Sequence, residues 1–199
     1  MRSNINIVWF KRDLRINDHS PLLAASKLST PVLPLYVVET EYWKKSFSSR
    51  RHWCFIHDCL SDLNISLENL GQPLIIKIGI IEKIIKNLQS QYTIDGIYSH
   101  EETGNLWTYE RDMRVRKLCH SYGIPLYEFP TNGIVRKLQS RDKWSAIRNQ
   151  RISDKILPKP NKLIPVSDCI SDQLPEKNKD MFGKKLVGNV QLGGRTSAI

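Results

Sequence analysis

Short apolar runs alternate along the chain with longer segments in which apolar residues recur every three or four positions. A short apolar run is typical of a buried strand, whereas the longer period is typical of an amphipathic helix. Five runs predict strands at 5–10, 32–38, 74–78, 96–99 and 125–129. Because several of these runs are apolar almost throughout, we expect a sheet whose two faces are both covered.

Between the strands lie segments with the pattern of helices that have one apolar face. The pair Ser20-Pro21 begins the first of them, with the serine as the cap and the proline in the first turn. In the second, at 49–70, apolar residues step by three or four positions until Gly71 and Pro73 end the helix. Further helices are expected at 80–88, before Gly123 and at 142–154.

This alternation predicts an α/β fold, a three-layer, doubly wound, Rossmann-like sheet of five parallel strands. Right-handed crossovers make 3-2-1-4-5 the simplest strand order. We expect the α/β domain at 1–155. Prolines interrupt every candidate helix after it, so 156–192 is interpreted as an inter-domain linker or extended arm. Residues 193–199 have the pattern of a loop and a capped helix start, which we interpret as the beginning of a truncated further domain.

The chain has 30 Lys and Arg residues against 20 Asp and Glu residues, a formal charge of +10. An excess of this size favours polyanionic partners without identifying one. Part of this positive charge lies around the last amphipathic segment, in a basic cluster. We expect the basic cluster to contact nucleic acid or another domain; the alternative is a solvated helix face. The basic cluster consists of Arg136, Lys137, Arg141, Lys143, Arg148 and Arg151.

No stretch of the chain approaches the roughly 18 apolar residues of a membrane span, and the first residues lack a cleavable signal pattern. We therefore expect a cytoplasmic, monomeric protein with no membrane partner. The four cysteines have neither the spacing of zinc ligands nor the density of a disulfide scaffold. Reduced thiols and no metal site are the expectation.

Several common catalytic signatures are missing from the sequence. Neither GxGxxG nor GxxxxGK with a following Ser or Thr comes after the first strand, which argues against a dehydrogenase or a kinase. No HExxH or GxSxG pattern occurs either, so the sequence gives no support for a metalloprotease or a hydrolase. We assign no catalytic residue.

Ligands of an open parallel sheet bind beyond the carboxyl ends of the strands, where the strand order reverses. In this sequence the residues at those ends are polar: Glu39 follows the second strand, and His100, Glu101 and Glu102 follow the fourth. These carboxylates could accept hydrogen bonds from a heteroaromatic ring. Alternatively, one of them or Thr103 could cap the following helix.

Charged residues also follow the first strand, at Arg12, Asp13, Arg15 and Asp18. Guanidinium and carboxylate groups satisfy each other when partly buried, so these residues are expected to tie the loop to its neighbours or to another domain. A direct role in ligand binding is the alternative. Arg111 lies in a helix, on the side from which a charged group can reach the strand ends. The histidines and tryptophans are interpreted as structural residues.

Residues 8–19, VWFKRDLRINDH, resemble the opening of the DNA photolyase and cryptochrome family, whose first strand ends in W-F-(K/R)-x-D-L-R-x-x-D. The similarity continues at 35–39, at 96–112 and at Gly123-Ile124-Pro125, and so covers about residues 5–150. It implies an N-terminal α/β domain, a linker from 156, and then a helical domain that holds FAD and binds damaged DNA. Residues 193–199 resemble the first residues of that helical domain.

The resemblance implies the function of a deoxyribodipyrimidine photolyase, a carbon–carbon lyase that repairs pyrimidine dimers in DNA with FAD and light. The flavin and the lesion pocket belong mostly to the helical domain, so we expect FAD only there and no catalysis by this chain alone. In the family, the α/β domain contributes an antenna chromophore, which is a folate, a deazaflavin or another group, and braces the flavin domain. The chain is expected to hold such a chromophore or none.

Aligned on Arg111-Asp112, the carboxylates that hold the folate and the deazaflavin in related proteins fall at Asn105 and Thr103. Both carboxylates are replaced here, and the nearby Glu39, Glu101 and Glu102 are candidates to substitute for them; a different antenna, or none, is the alternative. The candidate antenna residues are Glu39, His100, Glu101, Glu102, Asn105 and Arg111.

Two alternatives remain at this point. A cryptochrome-type blue-light receptor would share the same N-terminal domain. A free-standing α/β module is a different class: it would bind a nucleotide, for which the sequence shows no phosphate loop, or dock on nucleic acid through the basic cluster.

Overall fold

A five-stranded parallel sheet forms the centre of the molecule. The structure, a computed structural model, describes residues 2–131, 133–136, 138–183, 188 and 190–198. The strands are hydrogen-bonded in the order β3-β2-β1-β4-β5, which confirms the predicted topology. Their bounds are Asn4–Phe10 (β1), Val32–Val38 (β2), Ile75–Ile78 (β3), Thr93–His100 (β4) and Leu126–Phe129 (β5).

Helices connect the strands and lie on both faces of the sheet. Their bounds are Ser20–Ser26 (α1), Thr40–Trp43 (α2), Arg50–Glu68 (α3), Ile81–Gln91 (α4), Leu106–Ser121 (α5) and Trp144–Ser153 (α6). The sequence pattern did not predict α2, because four residues are too few to show a helical period. The cap of α1 is His19 rather than Ser20: its Nδ1 accepts a hydrogen bond from the backbone N–H of Leu22 over 3.1 Å.

Two apolar cores separate the three layers. On one face, Val8 and Phe10 of β1 pack with Leu60 of α3. On the other face, Ile7 of β1 packs with Ile85 of α4. Alternate residues of a strand point to opposite faces, so this run of buried residues supplies both cores at once. The rigid centre that results fixes the carboxyl ends of the strands, where the loops begin.

The strand order reverses between β1 and β4. β1 pairs in parallel with β2 on one side, where Phe10 lies opposite Tyr36, and with β4 on the other, where Val8 lies opposite Tyr98. The loops after β1 and β4 therefore open from the same edge of the sheet, as expected for a doubly wound fold.

Residues 157–182, which we call the strap, run back over the domain. Near the outer strand of the sheet, the N–H of Ile76 donates to Oγ of Ser171 over 2.9 Å, and the N–H of Asp172 donates to the carbonyl of Ile76 over 2.8 Å. Further along, Phe182 stacks on Trp53 with ring centroids 4.0 Å apart and is buried. The strap thus satisfies backbone groups that an edge strand would otherwise expose.

The boundaries between the α/β domain, the linker and a further domain stay a prediction. In the described part of the chain, no helix is both long and apolar enough to cross a membrane.

Candidate functional site

A cavity of 770 Å³, which we call the central crevice, opens at the carboxyl end of β1. It is lined by the loop after β1, by the first turns of α3, and by Val190, Gln191, Gly194 and Arg195 near the end of the chain. Asn105, at the start of α5, also lines it. Its volume lies within the range of sites that hold drug-sized ligands and cofactors, about 300–1,000 Å³.

The lining of the central crevice combines apolar and cationic side chains. Its apolar and aromatic lining includes Tyr42, Phe55 and Ile56. Its cationic lining consists of Arg12, Arg15, Arg51 and Arg195. An arrangement of this kind suits a flat aromatic molecule that carries anionic groups, because the ring can pack on apolar surface while guanidinium groups bind its charges.

A smaller recess of 60 Å³ extends from the central crevice towards the sheet. Both spaces are lined by Tyr42, Ile56 and Thr108, and the recess reaches Glu39 and Arg111. We call it the inner recess. Its polar end is formed by the buried side chains of Glu39 and Arg111. A ligand that extends from the central crevice into the inner recess would therefore contact these charged groups.

Arg111 is the centre of that buried polar group. Its Nη1 donates to Oε2 of Glu39 over 2.7 Å, its Nη2 donates to Oε2 of Glu102 over 3.2 Å, and its Nε donates to Oδ1 of Asp112 over 3.0 Å. The guanidinium carbon lies 4.9 Å from the centroid of the Trp9 ring. One cation is thus shared by three carboxylates and lies over the rings of Trp9 and Trp107, which is how a guanidinium group is best accommodated out of water.

For both Glu39 and Arg111, burial shifts the pKa in one direction and the neighbouring charges shift it in the other. Burial raises the pKa of Glu39, and the nearby Arg111 opposes that rise. Burial alone would lower the pKa of Arg111, but the carboxylates of Glu39 and Asp112 raise it above its ordinary value. The guanidinium is therefore always charged, and burial favours the protonated form of Glu39 against the opposing effect of Arg111.

A second cavity, of 280 Å³, lies between the loops that follow β1 and β4. We call it the switch-point cavity. His100, Glu101 and Glu102 line it from β4, and Arg12 and Asp13 line it from β1. This is the position at which a doubly wound sheet is expected to offer a binding site.

The predicted antenna residues are therefore divided between neighbouring spaces. Glu39 and Arg111 line the inner recess, Asn105 lines the central crevice, and His100 and Glu101 line the switch-point cavity. Several residues connect these spaces, among them Lys11, which lines all three. Glu102 lines the inner recess and the switch-point cavity, and Arg12 lines all three, with its Nη1 3.7 Å from Oε1 of Glu102.

The cap of α5 is Asn105, whose Oδ1 accepts a hydrogen bond from the backbone N–H of Thr108 over 3.0 Å. The alternative that Glu101, Glu102 or Thr103 caps this helix is therefore wrong. Glu102 instead accepts a hydrogen bond from the N–H of Gly104 over 2.7 Å. It remains available to Arg111 because the capping position is filled three residues further on, by Asn105.

Asp13 is buried between two histidines from different elements. Its Oδ2 lies 2.8 Å from Nε2 of His19 and is hydrogen-bonded to Nδ1 of His100, while its Oδ1 accepts the N–H of Lys11 over 2.9 Å. Burial would raise the pKa of Asp13, but the two histidines hold it well below its ordinary value. Burial lowers the pKa of His19, and Asp13 opposes that change. The group is thus a carboxylate between two imidazoles.

Within the described residues, Asp13, His19 and His100 are the one group of His, Cys, Asp and Glu whose potential metal-ligand atoms converge, all within 4.8 Å. The hydrogen bond by which His19 caps α1 argues against a metal ion at this group. Because Nδ1 of His19 accepts the N–H of Leu22, the ring proton of a neutral imidazole must lie on Nε2. That nitrogen lies 2.8 Å from Oδ2 of Asp13 without the alignment of a hydrogen bond, and it has no lone pair for a metal ion. The group ties the β1 loop to β4 through the hydrogen bond between Asp13 and His100, and to α1 through the close contact between Asp13 and His19.

The other charged residues of the β1 loop hold the strap. The N–H of Asp18 donates to the carbonyl of Leu157 over 3.0 Å, and the N–H of Leu157 donates to Oδ1 of Asp18 over 3.1 Å. Arg15 braces the same turn through Nη2, which donates to the carbonyl of Asp18 over 2.9 Å. The expected tie between this loop and its neighbours therefore has defined partners in the structure, and its role towards a further domain stays a prediction.

The basic cluster is not one continuous outward patch. Arg136 turns inward, where its Nη1 donates to Oε1 of Glu128 over 2.8 Å and its Nη2 to the carbonyl of Glu102 over 2.6 Å. Nη1 of Arg151 donates to the carbonyl of Ile134 over 2.8 Å. The exposed members are Arg141, Lys143 and Arg148, while Lys137 lies outside the described residues.

Sequence patterns alone did not reveal four contributors to these sites. His19 was treated as one of five structural histidines, although its position directly before Ser20-Pro21 is a helix-cap position. Tyr42 lies in the short helix α2. Gly194 and Arg195 line the central crevice from the end of the chain, at a sequence distance that no local pattern bridges.

Comparison with known proteins agrees with this architecture. The family model described as DNA photolyase matches residues 6–145. A cryptochrome DASH (chloroplastic/mitochondrial) from Solanum lycopersicum is 35% identical over 105 residues, which is 50% of this chain and 18% of that protein. A deoxyribodipyrimidine photo-lyase from Agrobacterium fabrum is 35% identical over 91 residues, which is 46% of this chain and 18% of that protein.

Solved structures show the same fold. The cryptochrome of Synechocystis sp. PCC6803 superposes with a TM-score of 0.80 at 19% identity, covering 99% of this chain and 45% of the other. A bacterial class III photolyase from Agrobacterium tumefaciens superposes with a TM-score of 0.71 at 24% identity, covering 87% of this chain and 38% of the other.

An α/β sheet of this order, with a charged strand-end motif and a family match over most of its length, defines the N-terminal domain of photolyases and cryptochromes. The chain belongs to the DNA photolyase family. It spans 18% of the length of the two curated relatives above.

Proposed function

We propose that this chain is a light-harvesting domain that binds an aromatic, anionic chromophore in the central crevice, as part of a DNA photolyase. The observation that carries the proposal is the composition of the crevice, whose 770 Å³ are lined both by Tyr42, Phe55 and Ile56 and by Arg12, Arg15, Arg51 and Arg195. A folate or a flavin-like molecule combines a fused ring system with carboxylate or phosphate groups, and both parts find a partner here.

The residues present fit such a group in a specific orientation. Apolar side chains of α2 and α3 would take the ring, and the inner recess would take its most polar edge. Glu39 and Arg111 lie at the bottom of that recess, where a carboxylate can accept ring N–H groups and a guanidinium can donate to ring carbonyl groups. When bound, the chromophore would absorb light and pass the excitation energy to a flavin.

One related structure supports a chromophore of this class. The archaeal photolyase from Sulfolobus tokodaii, with a TM-score of 0.67 and 21% identity, is described as containing two FAD molecules with the implication of a novel light-harvesting cofactor. The fold of this chain can therefore be compared with one in which a second flavin is bound. A deazaflavin, a folate and a flavin are the three probes to compare.

The test is reconstitution of the purified chain with each probe, followed by gel filtration and absorption spectroscopy. We expect one of the three to co-elute with the protein and to bind less tightly to Arg51→Ala and Tyr42→Ala variants, with Lys83→Ala on α4 as the matched surface control. If no probe co-elutes, the light-harvesting role is overturned.

The family supports a proposal for the activity of the whole protein. We propose that the full-length protein repairs pyrimidine dimers in DNA with FAD bound in its helical domain, and that the chain described here does not repair DNA by itself. The alternative is a cryptochrome-type blue-light receptor, which would share this domain. Repair of dimer-containing DNA under blue light by the full-length protein is the expected result, and its absence would favour the receptor.

A further inference from the structure

A further cavity, of 590 Å³, lies where the end of α6 and the beginning of the strap meet the loop after β1. We call it the strap cavity. Its volume is within the range of sites that hold small organic ligands, about 300–1,000 Å³. Among the described lining residues it shares only Arg15 with the central crevice, and it shares none with the inner recess. It is therefore a separate space from the candidate chromophore site.

Hydrogen bonds within the protein hold the walls of the strap cavity in place. Asp18 of the β1 loop is joined to Leu157 of the strap by two of them, over 3.0 and 3.1 Å. Near the end of α6, Nη1 of Arg151 donates to the carbonyl of Ile134 over 2.8 Å. A ligand therefore enters a preformed site and does not have to order its walls.

We propose that the strap cavity binds a small organic phosphate, namely a phosphomonoester with a partly apolar carbon skeleton. Arg15, Arg151 and Lys155 supply cationic groups to its lining. Ser20 and Thr131 supply hydroxyl groups. Guanidinium groups match the oxygens of a phosphate with two parallel hydrogen bonds, and a hydroxyl group can donate one more. The polar lining thus contains the kinds of group that bind phosphate.

Arg15 keeps donors for a ligand. A guanidinium group has five N–H donors. In the part of the chain that the structure describes, Nε of Arg15 donates to the carbonyl of Asn17 over 3.2 Å, and Nη2 donates to the carbonyl of Asp18 over 2.9 Å. These bonds use two of the five donors and fix the orientation of the group. The side chain is half-buried, so its charge is less screened than that of a fully exposed arginine.

The acidic residues of the strap cavity do not cancel its attraction for anions. Asp18 and Asp154 line it together with the three cations, which leaves a positive excess. Oδ1 of Asp18 already accepts the N–H of Leu157, and Asp154 is exposed to solvent. His100 is 3% exposed and contributes to the wall a ring whose Nδ1 is hydrogen-bonded to Asp13. The cationic groups therefore favour an organic anion over an organic cation.

The apolar part of the lining favours a ligand larger than inorganic phosphate. It consists of Pro130, Ile152, Ile156 and Leu157. Ile152 and Ile156 are 61% and 83% exposed, so each leaves in water an apolar surface that a carbon skeleton could cover. Removing such surface from water is favourable. An organic phosphate contacts both parts of the lining, whereas the inorganic ion contacts only the polar part.

Isothermal titration calorimetry of the whole chain with cyclohexyl phosphate tests the proposal. This probe joins a phosphate group to an apolar ring that is not aromatic, so it differs in kind from a chromophore. We expect it to bind at least about tenfold more tightly than inorganic phosphate or cyclohexanol, because each of these carries only one of the two parts.

Variants of the cationic lining give a second test. Arg151→Gln should raise the dissociation constant about tenfold, the usual loss for a hydrogen bond to a charged group. Arg141→Gln removes the same charge in the turn before α6, outside the described lining of the strap cavity, and should change the affinity less than about twofold. Lys155→Gln changes an exposed residue, so it should weaken binding about threefold without affecting the fold.

Variants that fill a cavity locate the site. Ile152→Trp should block the strap cavity and weaken binding about tenfold or more. Ser153→Trp adds the same ring at the next residue of α6, which is exposed and outside the described lining, and it should bind like the wild type. Ile56→Trp fills the central crevice instead, so it should leave the affinity for cyclohexyl phosphate unchanged.

Four results would overturn the proposal. Cyclohexyl phosphate could bind no more tightly than inorganic phosphate, which would indicate an adventitious ion only. Arg151→Gln and Arg141→Gln could weaken binding equally, which would mean that only net charge matters. Ile152→Trp could bind like Ser153→Trp. Finally, Ile56→Trp could abolish binding, which would place the phosphate in the central crevice.

Discussion

Nη1 of Arg111 lies 2.7 Å from Oε2 of Glu39, which brings together α5 and the end of β2 across 72 positions of sequence. Both residues are buried. Burying a carboxylate without a partner costs free energy of folding. The contact with Arg111 therefore both positions Glu39 at the inner end of the recess and contributes to the stability of the domain.

Arg111→Met should destabilise the protein by about 3–5 kcal/mol, because it leaves Glu39 and Glu102 buried without their shared cation. Arg114→Met on the same helix is the control: its ion pair with Glu82 is half exposed and should contribute less than about 1 kcal/mol. Urea denaturation of both variants measures the difference. Equal destabilisation would contradict the central role of Arg111.

The pair His19 and Asp13 predicts how stability depends on pH. The pKa of His19 is lowered in the folded protein from an ordinary value of 6.5, so unfolding takes up a proton as the pH falls below that value. The contribution of His19 is therefore fully present above pH 6.5 and is lost on acidification. Asp13, whose pKa is also lowered, acts in the same direction at lower pH.

His19→Asn should reduce this dependence, since asparagine can still cap α1 but does not titrate. Between pH 7 and pH 5 the free energy of unfolding should fall less steeply with pH in the variant, by up to about 1.4 kcal/mol per pH unit. His120→Asn, at the exposed end of α5, is the matched control. Identical slopes in His19→Asn and the wild type would show that His19 does not remain neutral in the fold.

The sheet and its order could be predicted from the sequence because buried strands and amphipathic helices leave local patterns of their own. The start of β4 was missed at Thr93, where polar residues interrupt the apolar run. The candidate site was predicted only in part: strand ends identify Glu39 and His100, but not which cavity each residue faces. Arg136 was expected in an outward cluster, and it turns inward because Glu128 and the carbonyl of Glu102 accept its hydrogen bonds. These hydrogen-bond partners come from distant parts of the chain, so the spacing of apolar and polar residues does not predict them.

The strap should be part of the folding unit. Phe182→Ala removes a buried ring that stacks on Trp53, so it should cost about 3–5 kcal/mol, like other truncations of buried aromatic residues. Leu192→Ala is the control, because Leu192 is 71% exposed and its loss should change stability by less than about 0.5 kcal/mol. Thermal and urea unfolding measure both. A Phe182→Ala protein as stable as the control would show that the strap is not required.

Asp62 holds the segment that lines the central crevice. Its Oδ2 accepts hydrogen bonds from the N–H of Arg195 over 2.9 Å and of Thr196 over 3.4 Å, and next to it the N–H of Gly194 lies 3.1 Å from Sγ of Cys59. Asp62→Ala should loosen this contact by about 1 kcal/mol, the usual cost of losing a cap.

Alkylation of Cys59 measures that loosening without any chromophore. In a Cys169→Ser background, the remaining cysteines Cys54 and Cys119 are buried, so iodoacetamide reports mainly on Cys59. The rate should rise about fivefold in Asp62→Ala, which corresponds to about 1 kcal/mol, and should not change in Ser61→Ala on the exposed side of α3. No increase in Asp62→Ala would mean that Asp62 does not hold the segment.

The most direct measurement of the central claim is the dissociation constant of a folate, deazaflavin or flavin chromophore for a chain whose crevice has been filled. Ile56 lines both the central crevice and the inner recess, so Ile56→Trp should block the site and weaken binding at least tenfold. Ile65→Trp makes the same change at a residue of α3 that is 60% exposed, and it should bind like the wild type. Equal affinity in both variants, with a chromophore bound, would contradict the placement of the chromophore in the central crevice.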